Sequence, residues 1–198
     1  AVVSHIGTNN TRVFNDVKEV GELLEILSNK HNLFGVVDKS EVAIVYDFEN
    51  TWALYQAGMP QNEKKKYQTE CIKHYKSFWK KGIQCDIVSG LLENIQDYKL
   101  VILPMLYMFR EGVTERIRSY VEAGGIVVAT YCTGLVNEND LCYLGGTPGE
   151  LTDVFGIKVE QNGIIGTNEN ASFVYNNKEY NAYDYLDLIQ NNGAQIIS

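Results

Sequence analysis

Val42-Ala43-Ile44-Val45-Tyr46-Asp47-Phe48-Glu49-Asn50-Thr51-Trp52-Ala53-Leu54 is the stretch that decides the fold. Its first five residues form an unbroken apolar run rich in β-branched side chains, the pattern of a strand covered on both faces. Asp47 ends the run, and helical character follows through Ala57 until Gly58-Met59-Pro60 interrupts it. Three more short apolar segments occupy 83–88, 98–103 and 126–130. Between them lie two helical patterns. One spans 64–81, with Tyr67, Cys71, Tyr75 and Phe78 on one face and Gly82 to end it. The other spans 111–123, with Val113, Ile117, Tyr120 and Val121 as its apolar side and Gly124-Gly125 after it. Strands separated by helical crossovers imply α/β architecture: a three-layer α/β/α sandwich with a mostly parallel sheet, flavodoxin-like in outline.

Outward from this centre the pattern is weaker. Upstream, Val13, Val17, Val20, Leu24 and Leu27 recur at steps of four and three, which predicts a helix over 12–28 with one apolar stripe. The polar stretch 29–41 reads as a linker. Downstream, Gly145-Gly146-Thr147-Pro148-Gly149 is a turn-rich loop, and Leu151, Val154 and Phe155 suggest a short helix before Gly156. Ile157-Lys158-Val159 alternates like an edge strand, and 161–181 reads as hairpins or loops. A short helix over 183–189 and a last strand over 194–197 complete the expectation. The opening Ala1-Val2-Val3-Ser4-His5 has neither a start methionine nor a signal-like core, and reads as a piece of something longer.

Seventeen basic against twenty-five acidic side chains leave a formal charge of -8, which argues against a nucleic-acid binder. No run approaches the ~20 apolar residues that a membrane-spanning helix needs. Cys71, Cys85, Cys132 and Cys142 form no CxxC pair and are read as reduced thiols of a cytoplasmic protein.

In parallel sheets ligands gather beyond the carboxyl ends of the strands, so candidate chemistry is sought there. Asp47 and Glu49 follow the first strand; capping of the helix near Asn50 competes with acid–base work and with an intersubunit polar contact. Cys132, in Thr130-Tyr131-Cys132-Thr133-Gly134, sits on a strand-to-helix turn where a nucleophile would be exposed. A thiolate needs a base, and His5, His31 and His74 all precede the site, so a half-buried turn residue is the simpler reading. Trp52 and Tyr55 share a helix face and could fill a core, anchor a subunit contact or stack on a sugar. No metal-ligand spacing or phosphate-binding glycine motif is present, and Lys64-Lys65-Lys66 reads as a solvated helix start.

The 42–54 string resembles the opening of the middle, trimerisation domain of bacterial family-42 glycoside hydrolases, the β-galactosidases; Thr51 stands where a second tryptophan is common. The resemblance continues through Tyr98-Lys99-Leu100-Val101-Ile102-Leu103-Pro104-Met105-Leu106-Tyr107, Tyr120-Val121-Glu122-Ala123-Gly124-Gly125 and Pro148-Gly149-Glu150-Leu151. It also covers 130–134, although family members usually carry an aromatic and a serine where Cys132 and Thr133 stand. Upstream, Ser4-His5-Ile6-Gly7 and Thr11-Arg12-Val13-Phe14 resemble the end of the family's catalytic barrel.

The resemblance implies that 1–38 is the C-terminal end of that barrel plus a linker, and that 39–198 is the trimerisation domain, truncated at its C-terminal end. It implies a class I glutamine-amidotransferase-like fold without the amidotransferase catalytic set. The parent would hydrolyse terminal β-D-galactosides with retention, using two glutamates on barrel strands outside this chain. No glutamate here matches either motif, so no catalytic, cofactor or metal residue is assigned. A homotrimer of the full-length parent is the expected assembly. The alternatives are an amidotransferase-like thiol hydrolase using Cys132, and a non-catalytic carbohydrate-binding or scaffold module with Trp52 or Tyr131 stacking on a ligand.

Overall fold

The computed structural model describes residues 5, 7–33, 35–36, 38–166, 169 and 171–197. Of the upstream motif, Ser4 and Ile6 lie outside the described residues, as do residues 1–3. The chain divides into two compact units, Ala1–Lys39 and Ser40–Ser198.

The first unit is built on α1 (Arg12–His31). Thr11 caps it, its hydroxyl accepting the Phe14 N–H at 3.1 Å. The helix continues past the expected residue 28 because its signals for stopping come later. Lys30 and His31 favour the negative end of the helix, and Asn32 takes the left-handed conformation that closes it. No residue of α1 is buried, so Val13, Val17, Val20 and Leu24 stand exposed.

In the second unit β1 (Val42–Val45) leads into α2 (Phe48–Gln56), α3 (Tyr67–Trp79) and β2 (Cys85–Val88). Next come β3 (Leu100–Leu103), β4 (Met108–Phe109), α4 (Val113–Glu122), β5 (Ile126–Ala129) and β6 (Val136–Asn137). The C-terminal part holds α5 (Thr152–Phe155), β7 (Ile157–Ile164), β8 (Ala171–Tyr175), β9 (Lys178–Ala182) and β10 (Tyr185–Asn191).

Four strands form one parallel sheet in the order β2-β1-β3-β5. All four predicted apolar segments therefore lie side by side, with Val42 opposite Cys85 on one flank and Leu100 on the other. Every residue of β1 is buried, as its unbroken apolar run requires. Alternation turns one set of the sheet's side chains toward α4. Ala43, Val45, Val101 and Leu103 join Val113, Ile117 and Tyr120 of α4. A second cluster gathers Ala53 and Leu54 of α2, Tyr67 and Cys71 of α3, and Met105, Tyr107, Cys132 and Val136. Each fully buried aliphatic side chain of this kind contributes about 1.5–3 kcal/mol, which makes α4 a strongly attached helix. Gly125 is required beside it: a Cβ there would sit 2.3 Å from the Tyr120 ring.

The remaining strands make the unit a mixed α/β domain. β7 pairs antiparallel with β10, and β8 with β9 through a two-residue turn at Asn176 and Asn177. Both asparagines take positive φ (49° and 59°), the conformation that suits a tight hairpin.

Three expectations need correction. The helix expected over 183–189 is strand β10 instead. The run Tyr185-Leu186-Asp187-Leu188-Ile189 supports either period locally, and pairing with a strand far upstream in the chain settles it. Residues 194–197 form no strand. The helix expected from 64 starts at Tyr67, because Gln61 in the left-handed region opens a separate 3-10 turn over Asn62–Lys64. Its apolar stripe is only half used: Tyr67 and Cys71 are buried, whereas Tyr75 is exposed.

Candidate functional site

Strand order reverses around β1 and β3, so the crevice beyond their carboxyl ends is where a parallel α/β sheet would receive a ligand. There, side chains of the loops tie those loops to one another. Asp47 caps α2, its Oδ1 accepting the Asn50 N–H at 2.9 Å. Its Oδ2 accepts the Gly90 N–H at 2.9 Å and Arg110 Nη2 at 2.6 Å. The same guanidinium reaches Glu49 Oε2 at 3.1 Å. Both carboxylates noted in the sequence thus converge on one arginine, as structural anchors of the loops they join.

Asn50, only 1% exposed, completes the lacing. Its Nδ2 donates to the Met105 carbonyl at 3.0 Å, and its Oδ1 accepts the Met108 N–H at 3.1 Å. Met105 has positive φ (44°) and is held from the other side by Thr130, whose Oγ1 accepts its N–H at 2.8 Å. Holding a methionine there is costly without such restraint.

Arg110, Gly90 and Asn50's bridging role were not singled out by pattern alone. The available signal for Arg110 was its place directly behind the apolar run ending in Phe109, where a cation needs a carboxylate nearby. Gly90 is fixed by the close approach of Asp47: a Cβ would lie 2.8 Å from Oδ2.

Cys132 is on a strained turn, with φ of 61°, yet it is 4% exposed among apolar side chains. Burial pushes its thiol up to about 12, against a smaller downward pull from the Lys65 ammonium. A thiol of that kind is protonated at neutral pH and a poor nucleophile. The charged groups that bear on it are Lys65 and Asp187, neither an imidazole. His74 stands on α3 beside Glu70 and Lys73, with burial lowering its pKa. His5 and His31 belong to the first unit. The nucleophile–base pair that a thiol hydrolase requires is therefore not assembled around Cys132.

Of the four cysteines, all free, Cys71 and Cys132 are buried but Cys142 is exposed. Among the described residues no group of three or more His, Cys, Asp or Glu is placed to hold a metal, and no helix is long and apolar enough to cross a membrane.

The aromatic candidates divide. Tyr131 stacks on Tyr185 with ring centroids 5.9 Å apart, so its face is already covered. Trp52 and Tyr55 are 62% and 82% exposed, which removes them from the core of their own unit. Behind Tyr55 a cavity of about 600 Å³ is bordered by Tyr46, Tyr67, Asn62 and Lys65. Lys65 is held there by Asn62 Oδ1 at 3.2 Å and lies 4.9 Å from the Tyr185 ring, and burial lowers its pKa.

The family described as the β-galactosidase trimerisation domain matches residues 40–198. The chain is similar to β-galactosidase Pbg of Clostridium perfringens, 42% identical over 206 residues, covering 100% of the chain and 29% of that protein. It is also similar to β-galactosidase BglY of Alicyclobacillus acidocaldarius, 44% identical over 161 residues, covering 81% of the chain and 23% of that protein. Among solved structures, the β-galactosidase of Bacillus circulans sp. alkalophilus superposes with a TM-score of 0.83 at 34% identity, over 100% of the chain and 30% of that structure. The β-galactosidase of Rahnella sp. R3 gives 0.80 at 39% identity, over 100% and 30%. The chain thus spans less than a third of the length of these relatives.

Proposed function

The chain belongs to the family-42 β-galactosidases through their trimerisation domain, and from that membership we propose that its work is structural: it is an assembly platform within a larger glycoside hydrolase. The observation that carries this reading is the laced crevice. Where a doubly wound sheet would take a ligand, Asp47, Asn50 and Arg110 hold one another and the surrounding backbone. No residue of this chain then takes a catalytic, cofactor-binding or metal-binding role.

The parent enzyme hydrolyses terminal non-reducing β-D-galactosides with retention, its two catalytic glutamates lying on barrel strands outside this chain. Residues 1–38 are the C-terminal end of that barrel and a linker, and α1, with its bare apolar stripe, is its last helix. Residues 39–198 form the trimerisation domain, a three-layer α/β/α sandwich of flavodoxin-like and class I glutamine-amidotransferase-like type. The sheet order β2-β1-β3-β5 supports this assignment. Three copies of the parent assemble in the cytoplasm, a compartment that suits free thiols.

Two measurements test this. The purified 198-residue chain should show no turnover of a chromogenic galactoside that the full-length parent cleaves; turnover by the chain would refute the structural role. Light scattering of the parent should give the mass of three chains, and a monomer would refute the assembly.

A further inference from the structure

We propose that copies of this chain join head to tail through two unlike patches on α2 and α3, an inference that rests on the trimer reading above. A ring of three is built from heterologous contacts, so each copy must carry a patch and a different, complementary patch. Two such surfaces are present in the second unit.

The first is a ridge on α2. Phe48, Trp52 and Tyr55 fall four and three residues apart, on one stripe, and all are exposed. Its flank is acidic: Glu49, Glu138 and Asp140 line one shallow concavity with Trp52.

The second is a groove between α3 and β2. Tyr46, Cys71, Ile72, Tyr75 and Ile87 border an apolar hollow of about 260 Å³, room for an aromatic side chain. Its α3 flank is basic and exposed, with Lys76 and Lys80 beside Trp79, itself 66% exposed. Aromatic anchors entering apolar pockets, with opposite charges at the rim, are the usual composition of an interface hot spot.

Ridge and groove adjoin where the Phe48 ring packs edge-on against Tyr46, with centroids 5.5 Å apart.

Sedimentation velocity of the 198-residue chain tests the pairing. The unmodified chain should form trimers that weaken as salt rises. Trp52→Asp breaks the ridge and Ile72→Asp breaks the groove; each side chain is exposed, so each variant should keep its circular dichroism. Each variant alone should associate about thirtyfold more weakly or worse. An equimolar mixture has one intact ridge facing one intact groove, and should give one-to-one dimers that do not close. Trimers that persist in both variants would overturn this inference and leave the trimer reading standing. Folded variants whose mixture stays monomeric would overturn the head-to-tail pairing. An unmodified chain that stays monomeric would remove the platform reading for this chain, and the inference with it.

Discussion

Asn50→Ala isolates the lacing of the crevice in one residue. The substitution removes the amide that satisfies the Met105 carbonyl and the Met108 N–H, both at hydrogen-bond distance. Asn50 is almost fully buried, so water does not readily replace it. Each orphaned buried group costs about 1–3 kcal/mol, and two together roughly 3 kcal/mol after partial relaxation. With a urea m-value of about 2 kcal/mol/M, the unfolding midpoint should fall by about 1.5 M. Circular dichroism in urea on the 198-residue chain reads this directly. Asn50→Asp sharpens the argument. It keeps an acceptor for Met108 but sets a second carboxyl oxygen against the Met105 carbonyl. That repulsion, with burial, raises the introduced carboxyl's pKa in the folded state. The folded variant then binds protons that its unfolded form releases, so its deficit should shrink as pH falls from 7 toward 4 and be largest at neutral pH. A midpoint shift under 0.25 M for Asn50→Ala, equivalent to ~0.5 kcal/mol, or an Asn50→Asp deficit independent of pH, would refute the reasoning.

Other consequences can be measured on the same chain. Gly90→Ala must push its Cβ against Asp47 Oδ2, and should lose about 1–3 kcal/mol; a neutral result in urea would show that the carboxylate moves freely. Cys132 should react with iodoacetamide no faster than unfolding permits, while Cys142 labels readily at pH 7.5; mass spectrometry of the labelled peptides decides, and rapid labelling of Cys132 would revive a chemical role. The Cys132 thiol is pushed up to about 12 from an ordinary 9.0, so its contribution is complete below pH 9 and is lost as pH rises toward 12. Urea midpoints between pH 8 and 10.5 should therefore fall more steeply in the unmodified chain than in Cys132→Ala, and parallel slopes would contradict the burial argument.

What the sequence made legible follows from where the signal lies. The central strands β1 and β3 were readable because burial on both faces leaves little room for polar residues, and β1 has none; the partly exposed edge strands β2 and β5 were readable from their short β-branched runs. Helix α4 was readable because Val113, Ile117 and Tyr120 repeat at its period and Gly124-Gly125 stops it. β10 was not readable: seven residues that mix Tyr185, Leu186, Leu188 and Ile189 with Asp187, Gln190 and Asn191 carry no decisive period, and the partner strand is distant in sequence. The crevice was only half visible. Asp47 announced itself as a cap, but Arg110 and Gly90 reach it from other loops, and a single sequence does not state that meeting. Trp52 and Tyr55 were visible as a shared face, and their exposure only in three dimensions.

The side-chain ties across the crevice also set how this region breathes. A cleft kept for a ligand must open without the rest of the domain unfolding, whereas the amides of Met108 and Gly90 are bound to side chains that cross from another loop, and that of Asn50 to the same Asp47 carboxylate that holds Gly90. Their hydrogens can exchange with solvent only when several ties part together. These three amides should therefore exchange at the slow rate of the central strands, marking a region built to stay rigid under load from its neighbours.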